Sequence, residues 1–301
     1  MRLNHSLSAP ATSLWRAFFF TLLAFAFCVP VGLRAQGGSK RYRPLPDYAQ
    51  LGEPNQEEGR KLLQDLKAMG IPGDYYLEFQ LRMMPRRGDE KLYTGRLWGA
   101  RRADGAFTRI ELRDVSGMEI RLLILTGPSP AIWRWDAGSA TVERLPTAEL
   151  FSPLGETLLT PFDLQMPYLF WKDFVYEGIA KVRGRPSYRF LMYPPADISV
   201  CRPGLTGVRV SMDSQYKALV ESQQLGEAGA ALKQLSLLEL KKTGEQWIVR
   251  AIDVRDEQTR SKTRLTFNAA ALGLEFSDAL FAPASLVEQV HPPSSARIDR
   301  F

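Results

Sequence analysis

The chain has 301 residues, a formal net charge of +6, two histidines and two cysteines. A charge of this size, spread along the whole chain, lacks the concentration of a nucleic-acid footprint, so no polynucleotide partner is read. Histidine is too scarce for a Ser-His-Asp triad or a histidine metal site: past the N-terminal region only His291 remains, beside Pro292 and Pro293.

The first segment pairs Arg2 and Arg16 with the uncharged run "AFFFTLLAFAFCVPVG" and ends in "LRA" before Gln36. Its apolar core is short for a membrane span and is broken by Pro30, so residues 1–35 read as a secretory signal peptide cleaved after Ala35. The bulky Phe27 before Cys28 argues against a lipoprotein anchor. The processed chain is then exported and loses Arg2, Arg16 and Arg34 but no carboxylate, which halves its net charge. Cys201 becomes the single thiol, so no intramolecular bridge can form; it is either inert or paired with another chain.

Residues 36–54 are rich in Gly, Pro and charge and read as a flexible lead-in. An amphipathic helix follows, with Asn55 as N-cap, Glu57 and Glu58 in its first turn, and Leu62, Leu63, Leu66 and Met69 on one stripe before Gly70 and Pro72. From Asp74 the period changes to two. Tyr75, Leu77, Phe79, Leu81 and Met83 face one way and Glu78, Gln80 and Arg82 the other. Lys91 to Arg102, a hairpin at Asp104-Gly105 and the runs "AFTRIELRDV", "MEIRLLILTG", "AIWRWD" and "TVERLP" complete a meander of six strands. Prolines 153, 161 and 167 then punctuate an apolar stretch, 147–172, that reads as short helical pieces and a lid-like connection. Strand patterns resume at "DFVYEGIAKV" and continue, past an insertion around Cys201, to "KTRLTFNAA", with "LEFSDALFAPASL" as the final ordered piece and 288–301 as a polar tail.

About a dozen alternating strands give a sheet with one apolar and one wet face, and few helices to cover it. From pattern alone such a sheet closes as a barrel or sandwich and fills itself, or it curls part-way and leaves an apolar cavity under a lid. No nucleotide-phosphate loop and no cluster at metal-ligand spacing occurs, so no cofactor and no metal are read and binding is favoured over catalysis. A carboxylate pair assembled by folding remains the one enzymatic alternative.

Gly95, Leu97, Trp98 and Arg101 stand as G-x-L-W-x-x-R on the second strand after the amphipathic helix. Together with "AIWRWD", "TPFDLQMPYLFWKDF", "YEGIAKVRGRPSYRFLMYP" and "KTRLTF" followed by "LFAP", this resembles the LolA-like family of periplasmic carriers and outer-membrane lipoprotein-sorting proteins over residues 55–287. The resemblance implies a mainly β fold, a curved antiparallel sheet forming an incomplete barrel whose concave apolar face is covered by helices. It implies a carrier for acylated lipoprotein or lipid cargo, taking it from an inner-membrane donor and passing it to an outer-membrane acceptor, with transient membrane contact. An RseB-type sensor signalling through a membrane partner is the alternative. For the cavity wall the reading selects Leu77, Phe79, Leu81, Leu97, Ile110, Leu112, Leu265 and Phe267, with Trp133 and Trp135 as wall or rim; for each, plain core packing is the competing interpretation. Arg101 matches the arginine that latches the lid helices in family carriers; the competing interpretation is a solvated residue flanking a hairpin.

Overall fold

A computed structural model describes residues 53–68, 70–216 and 218–301; the expected leader, nearly all of the lead-in and Met69 lie outside the described residues. Helix α1 (Gln56–Ala68) begins at Asn55, whose Oδ1 accepts hydrogen bonds from the backbone N–H groups of Glu57 and Glu58 at 2.9 and 3.3 Å. It buries Leu63 and Leu66 and exposes its charged side.

The period-two segment becomes β1 (Asp74–Met84), followed by β2 (Lys91–Arg102), β3 (Gly105–Asp114), β4 (Glu119–Thr126), β5 (Ala131–Asp136) and β6 (Thr141–Arg144), each antiparallel to the one before it. The connection then carries a 3-10 turn (Thr147–Phe151), helix α2 (Pro161–Gln165) and a second 3-10 turn (Pro167–Phe170). The second half runs through β7 (Phe174–Val182), β8 (Arg185–Met192), α3 (Ala196–Cys201), β9 (Gly207–Asp213), β10 (Leu219–Leu225), β11 (Ala231–Thr243), β12 (Gln246–Asp256) and β13 (Lys262–Leu274). The insertion around Cys201 is therefore partly helical, and its Ile198 and Leu205 join the core.

All strands share one sheet in the order β6-β5-β4-β3-β2-β1-β13-β12-β11-β10-β9-β8-β7. The ends, β6 and β7, do not pair among the described residues, so the sheet is an open antiparallel one, mainly β with few helices. Local contacts build each half, and a single long-range pairing, β1 with β13, joins them.

Order continues past the expected final piece. The turns Asp278–Phe281 and Pro283–Val287 strap across one face, and β14 (Asp299–Arg300) pairs with Ala269 and Ala270 of β13. Strand β12 pairs β13 only through Lys262 to Thr266, which leaves the later half of β13 free for β14.

Candidate functional site

Register fixes which side chains share a face. Leu77, Leu97, Ile110 and Leu122 stand opposite one another across β1 to β4, and Phe79, Gly95, Leu112 and Ile120 form the next row. Phe79 and Leu81 continue these rows onto Phe267 and Leu265 of β13. Eight of the ten residues selected for the wall thus lie on one apolar face, in or against a single cluster. Trp133 and Trp135 do not: the former follows Tyr76, Trp98, Arg109 and Leu123 in a row on the opposite face.

Two glycines shape the apolar wall. A Cβ on Gly95 would lie 2.2 Å from Cζ of Phe79, and one on Gly99 would lie 2.1 Å from Cζ of Tyr75, so both rings of β1 lie across β2. Gly99 makes room for Tyr75. Burial raises the Tyr75 phenol above its ordinary value, opposed by a hydrogen bond with Thr108 and by the charge of Arg101.

The connection between β6 and β7 covers this wall. Its Leu154 and Leu159 are buried in the wall cluster, and Leu150, Leu158 and Leu164 pack against it. The concave face is filled by these leucines, where the sequence suggests a hollow left vacant beneath a lid. The second half is covered by α1 together with Phe162, Tyr168 and Trp171, which pack on Tyr176, Phe190, Met192, Val208, Val210 and Met212. Leu150 packs against both clusters, so the covering connection links them.

Polar fasteners accompany the leucines of this connection. Thr160 caps α2, and the Asp163 carboxylate accepts from Thr160 N and Oγ1 at 2.9 and 2.7 Å. The same carboxylate accepts from Gln224 Nε2 of β10 at 3.0 Å and is ion-paired with Lys233 of β11. Gln165 Nε2 donates to the Leu125 carbonyl at 3.0 Å, and Thr126 Oγ1 donates back to the Gln165 carbonyl at 3.2 Å. Leu158 N donates to Thr263 Oγ1 at 2.9 Å and Glu156 N to the Tyr93 hydroxyl at 2.8 Å. On the other flank Gln56 of α1 bonds both Tyr176 N and Tyr176 O, at 2.8 and 2.9 Å, imitating a strand on the β7 edge.

At the seam between the sheet's two ends lies a cavity of about 530 Å³, lined from one side by Pro130, Ile132 and Leu145 and from the other by Phe170, Trp171 and Ile198. This volume falls within the roughly 300 to 1,000 Å³ of small-molecule sites. Ile132, Leu145 and Leu150 belong to the cavity and to the wall cluster alike, so the opening leads onto the concave face.

Arg101 is exposed at the end of β2, and its Nη2 would lie 3.1 Å from a Cβ placed on Gly70. It therefore stands beside the chain where it leaves α1 for β1, at the α1 side of the covering layer and away from the residues that fasten α2.

Sequence reasoning missed a different pair of arginines. On the opposite face Arg109 is fully buried; its Nη1 donates to the carbonyl and hydroxyl of Ser285 at 2.9 Å each, and its Nη2 to Glu111 at 3.1 Å and to the Glu288 carbonyl. Arg121 donates to the carbonyls of Leu286 and Val287 at 3.0 and 2.7 Å and stacks 4.1 Å from the Trp135 ring. These contacts pin the C-terminal strap, which drives Leu286 and Phe281 onto Trp98, Leu123 and Trp133. Arg102 binds Asp74 through two nitrogens at 2.8 and 3.0 Å and holds that carboxyl below its ordinary value. A readable signal existed in the alternation of Glu78, Arg96, Glu111 and Arg121 across four strands, since a merely wet face needs no such order.

Among the described residues no cluster of three His, Cys, Asp or Glu could hold a metal ion, and no helix is long and apolar enough to cross a membrane. The buried carboxylates Asp163 and Glu177 are each held by a cation, Lys233 and Arg209 respectively.

No protein-family model and no curated protein sequence matches the chain. Solved structures do. A domain assigned to outer-membrane lipoprotein sorting, from Vibrio parahaemolyticus, superposes with a TM-score of 0.67 at 16% identity, covering 78% of this chain and 100% of that one. A DUF1329 family protein from Desulfovibrio piger gives 0.65 at 15% identity, over 76% of this chain and 98% of that one. A LolA superfamily protein from Nitrosomonas europaea gives 0.54 at 12% identity, over 74% and 96%. The open sheet, its covered apolar face and these superpositions agree: the chain has the LolA-like fold.

Proposed function

We propose that this protein is a non-enzymatic periplasmic carrier that shelters the acyl chains of a lipoprotein or lipid against the concave wall and conveys them toward the outer membrane. The observation that carries this reading is the continuous apolar wall from Leu77 to Phe267, covered by a segment that packs through leucines and is fastened by a few hydrogen bonds of α2 to the neighbouring strands. Each acyl methylene exposed to water costs about 0.8 kcal/mol, so a cargo with several chains needs apolar area and no acid or base. Cargo methylenes would replace the lid's leucines against the same wall, which makes loading an exchange of like for like. The cavity at the seam is where a chain would first insert, and cargo with two or three chains would require the lid to move aside. Export through the N-terminal segment would bring the protein to that cargo.

Protein recovered from the cell envelope in its processed form is extracted with organic solvent, and the extract is read by mass spectrometry. Acylated peptide or phospholipid in stoichiometric amount is the expected result. Protein that is consistently empty, and that does not take up a fluorescent fatty-acid probe displaceable by lipoprotein, would sink the reading.

A further inference from the structure

The antiparallel order of the second half places the β7–β8, β9–β10 and β11–β12 turns at one end of the sheet, each two strand spacings, about 10 Å, from the next. These turns share an unusual composition. Arg183 and Arg185 flank the first, Tyr216 stands 53% exposed in the second, and Lys241 and Lys242 run into the third, where Trp247 is 62% exposed. Arg185 lies over the Tyr216 ring at 5.7 Å, and Lys242 stands directly opposite Trp247 in the hairpin, so both aromatics are bracketed by cations. The opposing carboxylates are few: Asp213 is buried and bonded by Arg185, and Glu245 pairs with Lys242 at 3.5 Å. The turns at the other end of the sheet mix their charges, with Arg86 and Arg87 followed by Asp89 and Glu90, and Glu257 followed by Arg260.

The two sides of the β11–β12 hairpin differ. Strand β12 leaves β13 at Ala251, so residues 246–250 pair with β11 alone; Ile248 is buried in the core on the inner side, and Trp247 stands on the outer side. A tryptophan kept in water costs free energy unless its ring finds a half-apolar surroundings, and the headgroup layer of a bilayer supplies that with the indole N–H still wet. Basic residues beside it would meet anionic headgroups, each adding a favourable increment near the surface.

We propose that this end of the sheet, led by Trp247 with Lys242, Arg183, Arg185 and Tyr216, docks the protein reversibly on an anionic bilayer surface. A flat bilayer is favoured over a protein partner because the exposed aromatics and cations are spread over three separate turns, about 10 Å apart, at one end of the sheet. The inference does not depend on the carrier reading: membrane docking is measured with empty vesicles, cargo with extraction, and either can fail alone.

The test is co-sedimentation of the processed protein with vesicles of phosphatidylcholine alone and of phosphatidylcholine mixed with phosphatidylglycerol. Binding to the anionic vesicles only, weakened by salt, is expected, with Trp247 fluorescence shifted to the blue relative to a Trp247→Phe control. The double variant R183Q/K242Q should reduce binding by about tenfold or more, and Trp247→Ser should reduce it severalfold, while both keep the unfolding midpoint of the parent. Equal binding to neutral vesicles, no binding to either, or variants that bind like the parent would overturn the proposal. So would binding to protein-containing envelope vesicles that is abolished by prior proteolysis of their surface, which would assign the site to a protein partner.

Discussion

The two faces of the sheet are both covered by extended, proline-marked segments, yet the covers are held in opposite ways. On the concave face the lid presses leucines against leucines, and its directed bonds come from α2 beside them, from Asp163 to Lys233 and from Gln165 to Leu125. On the other face the C-terminal strap is held from its middle by two buried guanidiniums that point into its carbonyls. Lifting the lid bares apolar surface that a fatty chain can cover again. Lifting the strap would strand Arg109 beside Glu111 with its acceptors gone, and no lipid can replace them. On the carrier reading proposed above, the difference assigns the exchangeable cover to the leucine-packed side and the fixed one to the arginine-held side.

The comparison is broken most directly at Arg109. Truncation in Arg109→Ala leaves Glu111 buried and the Ser285 and Glu288 carbonyls without their donor, and we expect a loss of about 3 to 5 kcal/mol in urea denaturation. Arg109→Lys should restore only part of it, since one ammonium cannot serve four divergent acceptors on three residues. If Arg109→Ala unfolds at the parent's midpoint, the strap is dispensable and the contrast between the faces fails.

A second break concerns the other cover of the concave face. Gly59 in α1 faces Tyr176, and a Cβ there would lie 2.4 Å from Tyr176 Cβ, an atom fixed by the strand backbone. Helix propensity favours Gly59→Ala by about 1 kcal/mol. Overpacking opposes it, and we expect a net loss of about 1 to 3 kcal/mol, with α1 lifted from β7 and Tyr176 amide exchange accelerated. A stabilised variant would show that α1 rides loosely on the sheet.

How much of this contrast could be read beforehand follows from where each signal resides. Period-two alternation and the Asp104-Gly105 turn are local, and they place β1 to β3 and their apolar face correctly because a strand's facing is set within a few residues. Prolines 153, 161 and 167 mark the lid for the same reason. The strap is not local: Arg109 meets carbonyls that lie 176 residues or more away, and an arginine alternating with apolar neighbours looks the same whether solvent or a strap receives it. Trp133 and Trp135 were set on the wall or its rim by kind, as large aromatics, when the cross-strand partners of Trp133, Leu123 and Arg144, put it on the strap side. Lys233 was likewise invisible as a fastener, since its carboxylate partner sits 70 residues earlier in the lid.

The α2 fasteners sharpen the comparison by kinetics. Asp163→Asn keeps an acceptor for Thr160 but removes the charge that holds Lys233, and Lys233 is close enough to the surface to reach water. The stability loss should be about 1 to 2 kcal/mol. Hydrogen exchange should rise across 147–172 while the strap at 278–290 stays protected, and a bound acyl probe should exchange faster. Equal acceleration in both covers would mean that they open together.

Arg101→Leu carries the smallest effect on stability and separates the two roles open to that residue. An exposed arginine at a strand end contributes within about 0.5 kcal/mol, so the unfolding midpoint should stay where it is. Its guanidinium nevertheless stands beside Gly70, where α1 hands over to β1, and α1 covers the second half of the concave face. If Arg101 latches that junction, the leucine variant should load and release an acyl probe at altered rates with unchanged stability, and Arg101→Lys should recover part of the parent's behaviour. Rates identical to the parent would leave Asp163 and Gln165 as the fasteners that govern opening, and the covering layer would then move from its lid side with α1 staying in place.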